Sequence, residues 1–224
     1  TKDGDAVFWH VDFGAGDTNF SQTLLRNGKV ILEWARFGSG DLSFEEIIFE
    51  NGNVSFEQTE FQDGEITFKD ASLGIADVDF TDAWFDDGGI SFENATFGKG
   101  DVRFFRVGFG ASDINFCRTK FDSGNLRFNK TEFGKGHINF SHAKLENGSL
   151  SVKGARFEES HISFENADVN RNFQLRNSEN TRTIADLSFR AMRLTGTFLV
   201  EGSFTCVPDL RSTMMATHVD SQNT

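Results

Sequence analysis

FENGNVSFEQTE, residues 49–60, runs without a gap into FQDGEITFKDAS, residues 61–72. Both stretches place Phe first, Gly fourth, an aliphatic residue sixth, Phe eighth and a small residue eleventh. Reading outward from this pair, the same twelve-residue block fills residues 1–168 fourteen times in register. FGSGDLSFEEII (37–48), FDDGGISFENAT (85–96) and FGKGHINFSHAK (133–144) are further copies. The eighth position is Phe in twelve blocks, with Leu32 and Val152 in its place, so it must be a large apolar slot. The fourth is Gly in eleven, with Ala76, Ser112 and Ser160 otherwise, so it tolerates almost no side chain. A repeat of this kind marks a chain of stacked units sharing one continuous core.

The block predicts two short strands. Positions six to eight alternate inward, outward, inward, and so do positions eleven, twelve and one. Gly at the fourth position reads as the turn residue between them, chosen for its backbone freedom. If each block closes one coil, the fold is an all-β parallel β-helix, or β-solenoid, with about 12 residues and two short strands per coil. Fourteen such coils form a flattened rod roughly 65 Å long at strand spacing. The core is then a phenylalanine ladder, with position eight beside the small eleventh and the aliphatic sixth opposite the first.

Composition agrees. There are 27 Phe and no Tyr, which suits a dry interior with nothing to satisfy a phenol hydroxyl. One proline, Pro208, leaves the backbone donors intact. The formal net charge of -12 argues against direct nucleic-acid binding. No apolar run reaches membrane-spanning length, and Cys117 and Cys206 make no disulfide framework. The chain opens in repeat register and is expected to be a piece of a longer protein, so it gives no reading of localisation. Regular coils are expected over 1–168, distorted coils and a partial cap over 169–210, and a frayed tail over 211–224. Within the second span, 170–183 reads as a polar loop, with strand alternation returning at Leu187, Phe189, Leu194, Phe198, Val200 and Phe204.

FENATF (92–97), FKDASL (68–73) and FSHAKL (140–145) each set a small residue two places before a large apolar one. In this the chain resembles the pentapeptide-repeat family, in a Phe-rich variant with a twelve-residue period. The resemblance implies a right-handed coil. The residues between these segments break the five-residue period, and a coil flatter than the family's square one is expected.

No catalytic constellation is present: there is no nucleophile elbow, P-loop or dinucleotide motif. His137 and His161 share the fifth position and, two coils apart, would stand about 9–10 Å from each other, too far for one metal ion. Asp recurs at that position, as Asp5, Asp17, Asp41, Asp77, Asp101 and Asp113, and reads as turn chemistry rather than calcium ligation. The outward seventh position runs Ser43, Ser55, Thr67, Asp79, Ser91, Arg103, Asn115, which is not the regular Thr array of an ice-binding solenoid. Catalytic residues, cofactors and metal ligands are therefore read as none.

Charge is segregated. Residues 37–96 hold fifteen acids against the single base Lys69, whereas 97–156 hold eleven bases against five acids. A few apolar side chains fall outside the core columns, and Leu24, Trp34, Ile48, Trp84 and Phe105 form the candidate interaction surface. Leu24, Ile48 and Trp84 share the twelfth position, at spacings of two or three coils. The function expected is a non-catalytic scaffold or protein-interaction rod with a protein partner. Two alternatives stand beside it. One is an acidic nucleic-acid mimic binding a DNA-handling enzyme such as a topoisomerase. The other is an ancillary stalk of a larger or membrane-associated protein. A homodimer through the N-terminal coil, where Phe8 and Val11 occupy core columns, is also expected.

Overall fold

The computed structural model describes residues 4–177, 183–202 and 205–216. It is an all-β parallel solenoid with no helix among those residues. Each block contributes two short strands, as its alternation predicts: Val30–Ile31 and Arg36–Phe37 from one, Leu42–Ser43 and Ile48–Phe49 from the next. Their parallel partners, however, lie 24 residues along the chain: Val30 with Val54, Phe37 with Phe61, Leu42 with Ile66, Phe49 with Leu73. A coil is thus two blocks and four strands. It is four-sided where a flattened two-stranded coil of twelve residues was expected. Each corner turns the chain by only about a quarter, so one block brings it half-way round. The two half-coils have the same template, which hides the true period. Nine strands stack on one face, which sets the rod's length near 40 Å rather than 65 Å.

The faces are numbered here in chain order from the strand Val30–Ile31, six residues apart. Faces 1 and 3 carry positions six and seven of alternate blocks. Faces 2 and 4 carry position twelve and the following position one.

Inside, the eighth-position phenylalanines form two ladders. Phe44 stacks on Phe68 at 4.7 Å with 7° between ring planes, and Phe56 on Phe80 at 4.7 Å and 5°. The two ladders meet edge to face along the axis, as Phe80 and Phe92 do at 83°. Each such contact adds roughly 0.5–1.5 kcal/mol beyond burial. First-position rings stack on faces 2 and 4, for example Phe97 on Phe121 at 4.6 Å. The eleventh position is buried as Ala71, Ala83 or Ala95. Where it is Thr59, Thr119 or Thr131, the hydroxyl donates to the carbonyl of Leu32, Phe92 or Phe104 in the coil below, so the polar atom is not left unpaired.

The corners divide the labour differently from the sequence reading. The left-handed residue is the tenth, not the fourth: Asp70, Asn94, Arg118 and Lys130 all have φ of 58°. It closes a turn in which the eleventh N–H donates to the eighth carbonyl, as Ala71 does to Phe68 at 3.1 Å. The fourth-position glycines have ordinary φ. They are small because coils touch there: a Cβ on Gly124 would overlap the backbone carbonyl of Gly100. The fifth-position Asp is a clip between coils. Asp41 Oδ1 accepts the N–H of Glu65 at 2.9 Å, and Asp77 Oδ1 that of Asp101 at 2.8 Å. Because alternate blocks face opposite ways, the seventh-position column on face 3 is wholly uncharged, from Asn19 through Ser43, Thr67, Ser91, Asn115 and Asn139 to Ser163. These side chains accept the N–H two residues on, as Asn115 does from Cys117 at 2.9 Å, which explains the column as turn capping.

Regularity ends before residue 168. Leu150–Ser163 is one 14-residue strand that wraps three faces, with register shifts at Lys153/Ala155 and Glu158/Ser160. Coil length then varies: Leu150 pairs with Phe173, Phe173 with Phe198, and Arg193 with Met214. Part of the expected loop at 170–183 is a strand, Phe173–Asn177, because Phe173 and Leu175 continue the core of face 1. The pairing of Met214–Met215 carries the solenoid past residue 210. Residues 178–182, Phe204 and 217–224 lie outside the described residues.

Candidate interaction surface

The 24-residue coil sorts the exposed apolar residues. Leu24 and Ile48 are direct cross-strand neighbours on face 4, one coil apart rather than two. Trp84 stands on the opposite face 2, between Glu60 and Gly108. Trp34 lies at the corner between faces 1 and 2, where its ring stacks on His10 at 5.4 Å. Phe105 belongs to the same corner further up and is half-buried, not a free apolar contact. Arg106 and Lys130 cover its ring, 4.8 and 5.5 Å from the centroid. The structure therefore brings Trp84 and Phe105 to one side and leaves Leu24 and Ile48 on the other.

Face 2 has a defined plan. Its outward column reads Arg36, Glu60, Trp84, Gly108, Glu132, Arg156. Ion pairs close both ends, Arg36 with Glu60 at 2.7 Å and Arg156 with Glu132 at 2.7 Å. Between them the indole lies flat on Gly108, where a Cβ would overlap the ring. Gly108 is the residue sequence reasoning missed. It is the only Gly at the twelfth position, and its meaning depends on standing one true coil above Trp84. Trp84 remains 48% exposed and forms a wall of two open grooves. One, of about 660 Å³, passes over Gly108, Gly110, Ala111 and Gly134. The other, of about 530 Å³, reaches Arg106, Lys130 and Gly154 at the corner. Arg106 is pinned by two hydrogen bonds to Asp82, of 2.6 and 2.5 Å, so its charge is balanced locally.

The acidic and basic segments are stitched at their border. Arg103 on face 1 pairs with Asp77 at 2.9 Å and reaches Asp79 and Asp101, and Arg127 pairs with Asp101. Burial alone would raise the Asp101 carboxyl. Hydrogen bonds from Asn125 and Arg127, with the charge of Arg127, hold it below the usual carboxylate range. Burial pushes the Cys117 thiol up, which disfavours a reactive thiolate there. Among the described residues no group of three or more His, Cys, Asp or Glu side chains is placed to hold a metal ion. Nor is any helix long and apolar enough to cross a membrane.

His137 and His161, expected two coils apart, are register neighbours on adjacent coils, with ring centroids 4.8 Å apart. The misplacement follows from the halved period.

No family model and no curated protein matches the chain. Among solved structures it is similar to QnrB1, described as a plasmid-mediated fluoroquinolone resistance protein. The identity is 14% over 82% of this chain and 91% of that one, with a TM-score of 0.29. It is also similar to HetL, a pentapeptide repeat protein involved in heterocyst differentiation regulation from the cyanobacterium Nostoc sp. strain PCC 7120. There the identity is 12% over 95% of this chain and 92% of that one, with a TM-score of 0.24.

Proposed function

We propose that this pentapeptide-repeat-like β-solenoid is a non-catalytic interaction rod that engages a protein partner through face 2, with Trp84 as the anchor. The observation that carries this reading is the exposed indole held flat on Gly108 between two open grooves. A rigid aromatic platform ringed by balanced ion pairs is the composition of a protein-binding hot spot. The Phe core is filled, so binding energy must come from outer faces rather than from an enclosed pocket. The acidic-mimic reading draws less support, because Asp77, Asp79, Asp82 and Glu93 of the acidic segment are paired with Arg103, Arg106 and Arg118. The test is affinity capture with cross-linking, comparing the wild type with Trp84→Ala and with the face 4 double variant Leu24→Ser/Ile48→Ser. A partner lost with Trp84→Ala and retained by the face 4 variant supports face 2. Retention by Trp84→Ala overturns it.

We propose separately that a second copy packs against the N-terminal coil. Phe8, Phe13, Phe20 and Leu25 are only partly buried there, whereas their counterparts one coil up are packed more deeply, and Val7 is exposed. Two-fold pairing would cover these residues without open-ended growth. Light scattering across a dilution series, with and without Val7→Lys, tests it. A monomer at all concentrations overturns it.

A further inference from the structure

We infer that His137 and His161 form a bidentate site for a borderline divalent transition ion such as Ni²⁺ or Zn²⁺. The two residues pair in register between His137–Asn139 and Leu150–Ser163. Their rings are stacked, with centroids 4.8 Å apart and 20° between planes, and both are exposed. Two metal–nitrogen bonds of about 2.0–2.1 Å span up to about 4 Å between donor atoms. A modest tilt of either ring brings two imidazole nitrogens within that reach. Water completes the coordination sphere, since the protein supplies two donors. Carboxylates stand on either side in the same column. Asp113 Oδ1 accepts the backbone N–H of His137 at 2.7 Å, and Asp186 is in register above His161. They add negative charge beside the cation.

The pair also stands outside the usual fifth-position hydrogen bond. At the fifth position, coil after coil is clipped by a side-chain oxygen accepting the N–H above: Asp5 to Lys29, Asp17 to Asp41, Asn53 to Asp77, Asp101 to Asn125, Asn125 to Ser149. At His137 the clip is missing, and the N–H of His161 turns to the carbonyl of Gly136 at 3.3 Å. The clip is likewise absent above Lys29 and Gly89, whose side chains have no oxygen, so its absence leaves the two imidazoles out of the clip without singling them out.

The test is isothermal titration of the intact chain with NiCl₂ and with ZnCl₂ at pH 7.5, alongside thermal melts with and without the ion. His161→Asn and His137→Asn are the variants, His142→Asn and His10→Asn the controls, and circular dichroism confirms the fold of each. Expected are one ion per chain and a raised Tm on loading. Binding should weaken about tenfold or more in either variant and stay unchanged in both controls. Absence of binding at millimolar ion overturns the site, as does affinity unchanged by His161→Asn or equally reduced by His142→Asn.

Discussion

The regular coils from Val30 to Ser149 and the uneven ones from Leu150 onward have the same core but different corners. In the first region every pairing steps by 24 residues, and most corners repeat the same turn, small-residue contact and clip. In the second, register shifts break the pairing, yet Phe164 still stacks on Phe189 at 5.4 Å and Phe173 on Phe198 at 5.2 Å. The ladder survives where the spacing does not. Stacked rings need only side chains that arrive in the same column, whereas corners need particular residues at fixed offsets. The buried columns thus define the fold, and the corner chemistry makes it uniform.

That contrast can be broken most forcefully in the core. Phe92→Ala, in the middle of the uniform region and fully buried, should cost about 3–5 kcal/mol. Phe198→Ala, partly buried at the uneven end, should cost less than half of that. Equal losses in urea unfolding would mean that both regions rely on the ladder alike. Next in size is Gly124→Ala, whose new Cβ would meet the Gly100 carbonyl. It should cost about 1–3 kcal/mol as overpacking, read as a lower denaturation midpoint. Gly148→Ala, at the last such contact before the irregular strand, should cost less if the uneven coils above it can shift.

Asp101→Asn, at the stitched border, should cost about 1 kcal/mol at neutral pH. The Asp101 carboxyl is held low in the folded chain. Its contribution is therefore complete above the unfolded value near 3.9 and is lost as pH falls through the depressed folded value. The wild-type and variant stability curves should converge on acidification, and a constant gap would rule out the ionised carboxylate as the cause. The smallest effect is expected at the tenth position. Lys130 holds a left-handed φ of 58°, while the equivalent corner of the uneven region already has Gly154 at 64°. Lys130→Gly should be neutral or stabilise by up to about 1 kcal/mol, and Gly154→Ala should destabilise by a similar amount.

The strands, the buried columns and the Phe ladders could be read from the block itself, because alternation and residue size are local. The coil could not. Whether one block or two closes a circuit depends on how far each corner bends the chain, and the two halves of the circuit have the same template. From that single uncertainty came the distance between His137 and His161, the separation of Leu24 from Ile48, and the meaning of Gly108 beneath the Trp84 ring. The outward seventh position shows it most directly: read along the chain it mixes Asp79 and Arg103 with Ser and Asn, and sorted by face it yields one charged column and one neutral one. The uses of the fourth and tenth positions were also out of reach, since a glycine needed for contact and one needed for φ look alike in sequence.

Among the described residues, bonds between coils join positions about 24 apart, and no strand reaches past its immediate neighbours. Pulled from its ends along the axis, the molecule would therefore yield as a staircase. Each detached coil releases one circuit of chain, about 80 Å when drawn out, while the coils behind it keep their ladders. The rungs at the uneven end should give way first, and the trace of force against extension would count the coils one by one.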